Sequence, residues 1–186
     1  MNSWRHGAWV AVLALIVGAA GVAGQGDAWL VKSPQLKTAT FKDPNGRFSV
    51  DYPAKSWIRL PGAGSTLLTL SEEDVEATIV VEVVPMDVPL APDEVTTLFA
   101  ELEAVGVRKR EKNADEFVQR VITAGARRVA VVEYTRRGTK GIERVRQYSF
   151  PVGANLYRMA CSTGVQRLKK YAPVFSHVAA SFAPAP

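Results

Sequence analysis

The strongest structural signal in this sequence is the stretch Phe41-Lys42-Asp43-Pro44-Asn45-Gly46-Arg47-Phe48-Ser49-Val50-Asp51-Tyr52-Pro53. A Pro-Asn-Gly turn here separates two short runs of alternating apolar and polar residues, which is the usual signature of a β-hairpin. Phe48, Val50 and Tyr52 are two residues apart, so they share one face of the second strand. The sequence therefore predicts a domain that begins near Phe41 with a hairpin.

Further strands are predicted after this hairpin. Residues 57–60 and 66–70 have strand character, and the β-branched run 77–84 is apolar on both faces, as in a central strand that is covered on each side. Four later strands are predicted over 117–123, 128–136, 143–150 and 156–161. Because the turns between them are short, we expect antiparallel neighbours.

Two helices are predicted to cover the sheet. The first begins at Pro92, followed by acidic residues, and ends at Gly106. Its apolar residues at helical spacing are Val95, Leu98, Phe99, Leu102 and Val105. The second runs from Thr163 to Phe182, and Pro173 is expected to kink it or divide it into two short helices. The residues predicted to lie in the shared core are Trp57, Ile79, Val81 and Phe182.

The N-terminus has the pattern of a secretory signal. Arg5 precedes the uncharged run 8–24, which is shorter and less apolar than a comfortable membrane span. Val22 and Gly24 favour cleavage before Gln25, and the alternative is an uncleaved anchor. No cysteine follows, so bacterial lipidation is excluded. The predicted organisation is a signal peptide at 1–24, a polar tether at 25–40, a single domain at 41–182 and an Ala/Pro tail at 183–186.

Composition limits the class of protein. The chain has 186 residues, 47% of them hydrophobic, which excludes a disordered, collagenous or coiled-coil protein. The 23 basic residues exceed the 18 acidic ones, and the basic residues cluster after position 105. For an exported protein this favours an acidic protein or an anionic envelope component as partner, rather than nucleic acid.

Residues with catalytic or metal-binding chemistry are few. After signal cleavage the chain has one cysteine and one histidine, Cys161 and His177, which cannot complete a zinc site. Cys161 ends an apolar run and is expected to be packed and inert. The acidic run 72–76 lacks the glycine of a calcium loop, and 62–64 lacks the lysine of a phosphate loop. We therefore expect no metal, no cofactor and no enzymatic activity.

The last predicted hairpin carries the candidate binding site. Pairing of residue 148 with 158 across a five-residue loop places Val145, Gln147, Tyr157 and other largely apolar residues on one face. The opposite face then carries the predicted basic patch, which consists of Arg144, Arg146, Tyr148 and Arg158. The alternative is that Glu133 pairs with Arg146 and that Arg158 stacks on Tyr148.

The motif at 46–53 followed by Trp57, the strand at 157–162 and the closing Phe175-x-x-Val178-x-x-Ser181-Phe182 pattern resemble the PsbP-like family, including its bacterial DcrB-type members. The resemblance implies an α+β fold: an α/β/α sandwich with a central, mainly antiparallel sheet of six to seven strands preceded by a short hairpin. It also implies a non-catalytic binding module outside the cytoplasm. No metal-binding residue of the family could be matched to this chain.

The predicted function is an exported, non-catalytic interaction module that stabilises a membrane-associated complex. Its membrane association would be peripheral unless the signal is retained. Two alternatives stay open: a peripheral subunit of a photosystem-type complex, and a carrier of a small ligand, which requires an apolar pocket. An enzyme that uses carboxylates such as Glu133 or Glu143 is the least favoured interpretation.

Overall fold

The computed structural model describes residues 36–60, 62–138 and 140–185. The predicted signal peptide and residues 25–35 of the predicted tether lie outside this part of the chain. The end of the tether is not separate from the domain, because the first strand already begins at Thr38. Neither α-helix of the described residues is long and apolar enough to cross a lipid bilayer.

The described residues form strands, two α-helices and two single 3-10 turns. The strands are β1 (Thr38–Lys42), β2 (Phe48–Pro53), β3 (Trp57–Leu60), β4 (Thr66–Glu72), β5 (Ala77–Leu90), β6 (Asp115–Ala124), β7 (Arg127–Gly138), β8 (Gly141–Gly164) and β9 (Ala183–Pro184). The helices are α1 (Thr97–Arg110) and α2 (Leu168–Ser181), preceded by the 3-10 turns Pro92–Glu94 and Val165–Arg167 respectively.

Two antiparallel sheets carry these elements. The larger has the order β3-β4-β5-β8-β7-β6, and the smaller has the order β1-β2-β9. On one face of the larger sheet, Ala104 and Val107 of α1 pack against Val132 and Val145. On the other face, α2 and the small sheet enclose the main core. The predicted α+β sandwich with a central antiparallel sheet is confirmed.

The main core contains all four residues predicted for it. Trp57, Ile79, Val81 and Phe182 are buried together, but α2 alone of the two helices contributes to this cluster. The expectation that both helices share one core is wrong, because the six-stranded sheet lies between them. The face of the sheet that α1 covers has its own, smaller cluster of buried apolar residues.

The N-terminal hairpin forms as predicted, with Phe41 opposite Val50. Its turn is held by the buried Asp43 side chain, which accepts hydrogen bonds from the backbone amides of Asn45 and Arg47 at 3.2 and 3.1 Å. The Arg47 guanidinium donates to the same carboxylate at 2.8 Å and holds the pKa of Asp43 below its usual range. Gly46 has a φ of 70°, a conformation that favours glycine.

Strand β8 contains the predicted last hairpin as one continuous element. The strand reverses at the exposed Gly153, whose φ is 56°. Strand β7 pairs with the half of β8 before this turn, and β5 pairs with the half after it. The two halves lie side by side, since Gln147 and Arg158 both donate to Oε2 of Glu103.

Helix α1 differs from the prediction in both its extent and its orientation. It begins at Thr97 and continues through Gly106 to Arg110. Of the residues predicted to face the core, Leu98, Leu102 and Val105 are exposed. The buried residues are Ala100, Glu103, Ala104 and Val107. The small side chains allow the helix to approach the sheet closely, and the buried carboxylate of Glu103 pairs with Arg158, as described below.

The C-terminal segment also departs from the prediction. Helix α2 begins at Leu168, after the 3-10 turn, and continues through Pro173 as a single helix to Ser181. The predicted division at the proline is therefore wrong. The predicted tail is not free either, because Ala183–Pro184 form β9 and Pro184 pairs with Phe48 of β2.

Candidate binding cleft

The structure does not bring the four residues of the predicted basic patch onto one exposed face. Tyr148 is 1% exposed and Arg146 is 4% exposed, and both lie on the α2 side of the sheet. Arg158 lies on the α1 side, where it contacts Glu103. Arg158 shares its face with Gln147 and Ser149 instead of Arg146 and Tyr148. The predicted pairing of the two halves of the hairpin therefore had the wrong register, and in a strand such an error moves side chains to the other face.

Arg146 and Arg144 instead form a buried ion-pair network with Glu133. The Nε atoms of Arg146 and Arg144 donate to the two carboxylate oxygens of Glu133 at 2.9 and 2.8 Å. Arg144 also reaches Glu116 at 2.8 Å. The alternative pairing of Glu133 with Arg146 is therefore confirmed. The alternative stacking of Arg158 on Tyr148 is wrong, since Tyr148 stacks with Phe150 at a centroid distance of 6.5 Å.

Arg158 belongs to a second buried network, on the α1 side of the sheet. Its Nε and Nη2 atoms donate to the two oxygens of Glu103, both at 2.9 Å, which is a bidentate pair. Gln147 and Ser149 donate to Oε2 of the same carboxylate at 3.1 and 2.8 Å. The arginines of the predicted patch thus satisfy internal carboxylates, and their charges are neutralised inside the protein.

A large cavity lies at one end of the six-stranded sheet, where β7 ends and β8 both begins and ends. We call it the terminal cleft. It has a volume of about 840 Å³ and is open to solvent on one side. Its lining comes from the start of β6, the β7–β8 turn and the 3-10 turn before α2, and its charged members are Asp115, Glu116, Arg136, Arg137, Lys140 and Arg167.

The charges in the terminal cleft are unequally neutralised. Arg136 donates to Glu111 and to Glu143, each at 3.1 Å, and Arg167 pairs with Glu76. Arg137 and Lys140 are exposed, and neither forms an ion pair within the described residues. Lys140 Nζ donates to the backbone oxygen of Asp74, at 3.4 Å. The cleft therefore presents two exposed cations beside the carboxylates of Asp115 and Glu116, of which Glu116 pairs with Arg144.

A smaller cavity continues from the terminal cleft across the edge of the sheet. It has a volume of about 370 Å³ and shares Lys140, Ile142 and Arg167 with the larger one. Ile142 and Val165 are exposed in the cleft region at 63% and 45%, and they add apolar surface beside the cations.

Part of this cleft could be recognised from the sequence. Arg136, Arg137 and Lys140 belong to the basic cluster after position 105, and they flank the short β7–β8 turn. Arg167 is distant in sequence and reaches the cleft only because β8 reverses and returns to the same end of the sheet. That convergence depends on the register of two strand pairs, so the sequence pattern could not reveal it.

Cys161 and His177, the residues considered for nucleophilic chemistry, do not form an accessible site. Cys161 is fully buried in the main core, and burial raises the pKa of its thiol. The Nε2 atom of His177 is buried and has no hydrogen-bond partner among the residues that the structure describes. Within the described part of the chain, no three histidine, cysteine or acidic side chains are grouped for a metal ion.

A thiol reagent is therefore expected to leave Cys161 unmodified in the native protein and to label it after denaturation. The raised pKa also has a consequence for stability. The folded state keeps the thiol neutral, whereas the unfolded state ionises above its ordinary pKa of 9.0. The contribution of the Cys161 thiol to the free energy of unfolding is therefore complete below pH 9.0 and is lost as the pH rises above it. Mass spectrometry of labelled protein checks the accessibility of the thiol, and fast labelling of the native protein would contradict this prediction. Alkaline denaturant melts of the unaltered protein and of Cys161→Ala check the pH dependence of stability.

The layered architecture, the N-terminal hairpin and the sheet order define a PsbP-like fold. Among solved structures, the chain is similar to cyanobacterial PsbP (CyanoP) from Synechocystis sp. PCC 6803, with a TM-score of 0.61 and 14% identity over 91% of this chain and 99% of that one. It is also similar to LpqN, which is involved in cell envelope biogenesis of Mycobacterium tuberculosis, with a TM-score of 0.53 and 12% identity over 82% and 93% of the two chains.

A third solved structure with this likeness is the Ran-binding protein Mog1p of Saccharomyces cerevisiae. It has a TM-score of 0.52 and 6% identity over 80% of this chain and 96% of that one. No family model and no curated protein matches the sequence. At these identities the likeness concerns the fold, which agrees with the expectation from the PsbP-like motifs.

Proposed function

We propose that this protein is an exported, non-catalytic binding module that holds an acidic segment of a partner protein in the terminal cleft. The observation that carries the proposal is the pair of exposed cations, Arg137 and Lys140, in a large open cleft whose other cations are already paired. An acidic segment would supply the carboxylates that these two side chains lack. The arginines of the predicted patch have no part in it, because each is paired with an internal carboxylate.

Export is supported by the signal-like N-terminus, with Arg5 before the uncharged run 8–24. We propose that the signal is cleaved before Gln25 and that the domain acts in the cell envelope. The assignment to the bacterial DcrB-type branch of PsbP-like proteins stays a prediction, as does the alternative of a photosystem-type complex. The described cavities favour a protein partner over a small apolar ligand, since charged and polar residues make up most of their lining.

Reversing the two exposed charges, in Arg137→Glu/Lys140→Glu, is expected to weaken binding of a glutamate-rich peptide about tenfold or more. Each lost charge-assisted hydrogen bond contributes about 1.5–3 kcal/mol, and about 1.4 kcal/mol corresponds to a factor of ten. Binding by the unaltered protein should also weaken as salt increases, because the cleft is open to solvent. Calorimetric titration at two salt concentrations measures both effects.

The matched control is Arg127→Glu/Arg128→Glu, which changes the net charge equally at the opposite end of β7. It should retain binding if the cleft is the site. The same proteins, purified from the exported fraction, can be used to pull down partners from the envelope fraction. The intact mass of these purified proteins shows where the signal is cleaved. Equal binding by both double variants would contradict the cleft, and a full-length chain in the cytosol would contradict export.

A further inference from the structure

Helix α1 presents an apolar stripe to solvent. Leu98, Leu102 and Val105 are 64%, 60% and 43% exposed, although they lie on a helix of a well-packed domain. They lie at i, i+4 and i+7, so they form one continuous line along the outer side of α1. The exposed Lys109 extends this line by a further turn. We call these four residues the α1 stripe.

The domain does not need the α1 stripe for its own packing. The inner side of α1 consists of Ala100, Glu103, Ala104 and Val107, all of them buried. This side is satisfied by the apolar cluster under the helix and by the Glu103 network. Three large aliphatic side chains in a line on the outside are therefore left largely uncovered by the described residues, and such a surface is typical of an interaction site.

The spacing of the α1 stripe is that of a helix–helix seam. Positions 98, 102, 105 and 109 follow the alternating four- and three-residue steps of a heptad repeat. The stripe is bordered on one side by the exposed residues Glu101 and Arg108. These two flanking charges have opposite signs, and they lie two helical turns apart, too far to pair within one chain.

We infer that α1 packs antiparallel against α1 of a second copy of this chain, about a two-fold axis between Leu102 and Val105. In this arrangement Leu102 faces Val105 of the second copy, and Leu98 covers the aliphatic stem of its Lys109. Glu101 then lies beside Arg108 of the second copy, and the symmetry repeats the pair. A two-fold interface must be self-complementary, and the charge order along the stripe meets that requirement.

Two other partners of the α1 stripe fit the charges along it less well. A parallel pair of helices would place like residues opposite each other and would leave Glu101 without a cation. An anionic lipid surface would attract Arg108 and Lys109 but repel Glu101, Asp93 and Glu94, so it would satisfy the charges at only one end of the segment. Arg108 stacks over the Phe117 ring at 4.4 Å, and a stacked guanidinium keeps its N–H edges available for a carboxylate.

The interface is small, so the dimer is expected to be concentration-dependent. Sedimentation equilibrium of the mature protein should show a mass that rises towards two chains as the concentration increases. Leu102→Glu should leave a monomer over the same range, because it buries a charge at the centre of the seam. Leu60→Ser, a matched change at an exposed apolar residue of β3 with 42% exposure, should dimerise normally.

Exchanging the charges of Glu101 and Arg108 tests whether the two α1 helices pack antiparallel. Glu101→Arg alone would face Arg108 of the second copy, and Arg108→Glu alone would face Glu101, so each variant should be mainly monomeric. Mixing the two variants should restore a dimer, because each chain then supplies what the other lacks. The double variant Glu101→Arg/Arg108→Glu should also dimerise. Circular dichroism confirms that each variant is folded.

Three outcomes would overturn the inference. The first is a protein that stays monomeric up to about 1 mM, where association is too weak to matter. The second is a dimer that Leu102→Glu does not affect, or a mixture of the charge variants that stays monomeric. The third is flotation of the monomer with phosphatidylglycerol vesicles that Leu102→Glu abolishes, which would assign the α1 stripe to a membrane surface. The terminal cleft shares no residue with the stripe, so the two proposals succeed or fail separately.

Discussion

Glu103→Ala is expected to lower the free energy of unfolding by about 3–5 kcal/mol, the range for removing one partner of a buried ion pair. The substitution leaves the Arg158 guanidinium, whose side chain is 11% exposed, without its bidentate carboxylate. It also removes the acceptor for Gln147 and Ser149, both buried. Urea denaturation followed by circular dichroism measures the loss.

The control for this change is Glu101→Ala, which removes the same side chain from the outer side of the same helix. It should change the stability little, because Glu101 is exposed. Glu103→Gln should fall between the two, since the amide keeps a hydrogen-bond acceptor but has no charge. A loss below about 1 kcal/mol for Glu103→Ala would show that water replaces the carboxylate and that the network is not closed.

Phe182→Ala is expected to cost about 3–5 kcal/mol, the range for removing a buried aromatic ring. Phe182 is 4% exposed at the end of α2, and its ring lies 4.7 Å from that of Phe150 and 5.3 Å from that of Phe48. The cavity would open between the C-terminus, the N-terminal hairpin and β8. The loss should therefore be larger than at any exposed apolar position.

Val88→Ala gives a matched comparison, since Val88 is 74% exposed and should tolerate truncation. Phe182→Leu keeps most of the buried volume and should recover part of the stability lost in Phe182→Ala. Thermal and denaturant melts of the three variants separate these cases. If Phe182→Ala costs under about 1 kcal/mol, the end of α2 is not docked on the hairpin.

The sequence was sufficient for the elements whose signals are local. The Pro-Asn-Gly turn before Phe48 and the β-branched run around Ile79 predicted the hairpin and the central strand at their observed positions. Alternation also predicted burial correctly at Val81. These features depend on neighbouring residues in the chain, and tertiary contacts reinforce them without changing them.

Helix α1 shows why other features could not be predicted. Periodicity finds the line of large aliphatic residues, but it does not say which side of a helix meets the sheet. Here the choice depends on Glu103 and Arg158, which are distant in sequence and form a pair inside the protein. The prediction of the basic patch was wrong for a related reason. A difference in register separated Arg158 from Arg146, and register is set by contacts across strands rather than by composition.

Strand β9 joins the two ends of the domain, since Pro184 pairs with Phe48 and Ala183 pairs with Ser49. The small sheet therefore contains contacts between two segments that lie far apart in the chain. The N-terminal hairpin can reach its final packing only after residues near 184 have left the ribosome. Contacts this distant in sequence slow folding, so the N-terminal hairpin remains incompletely packed while residues near 184 are still missing.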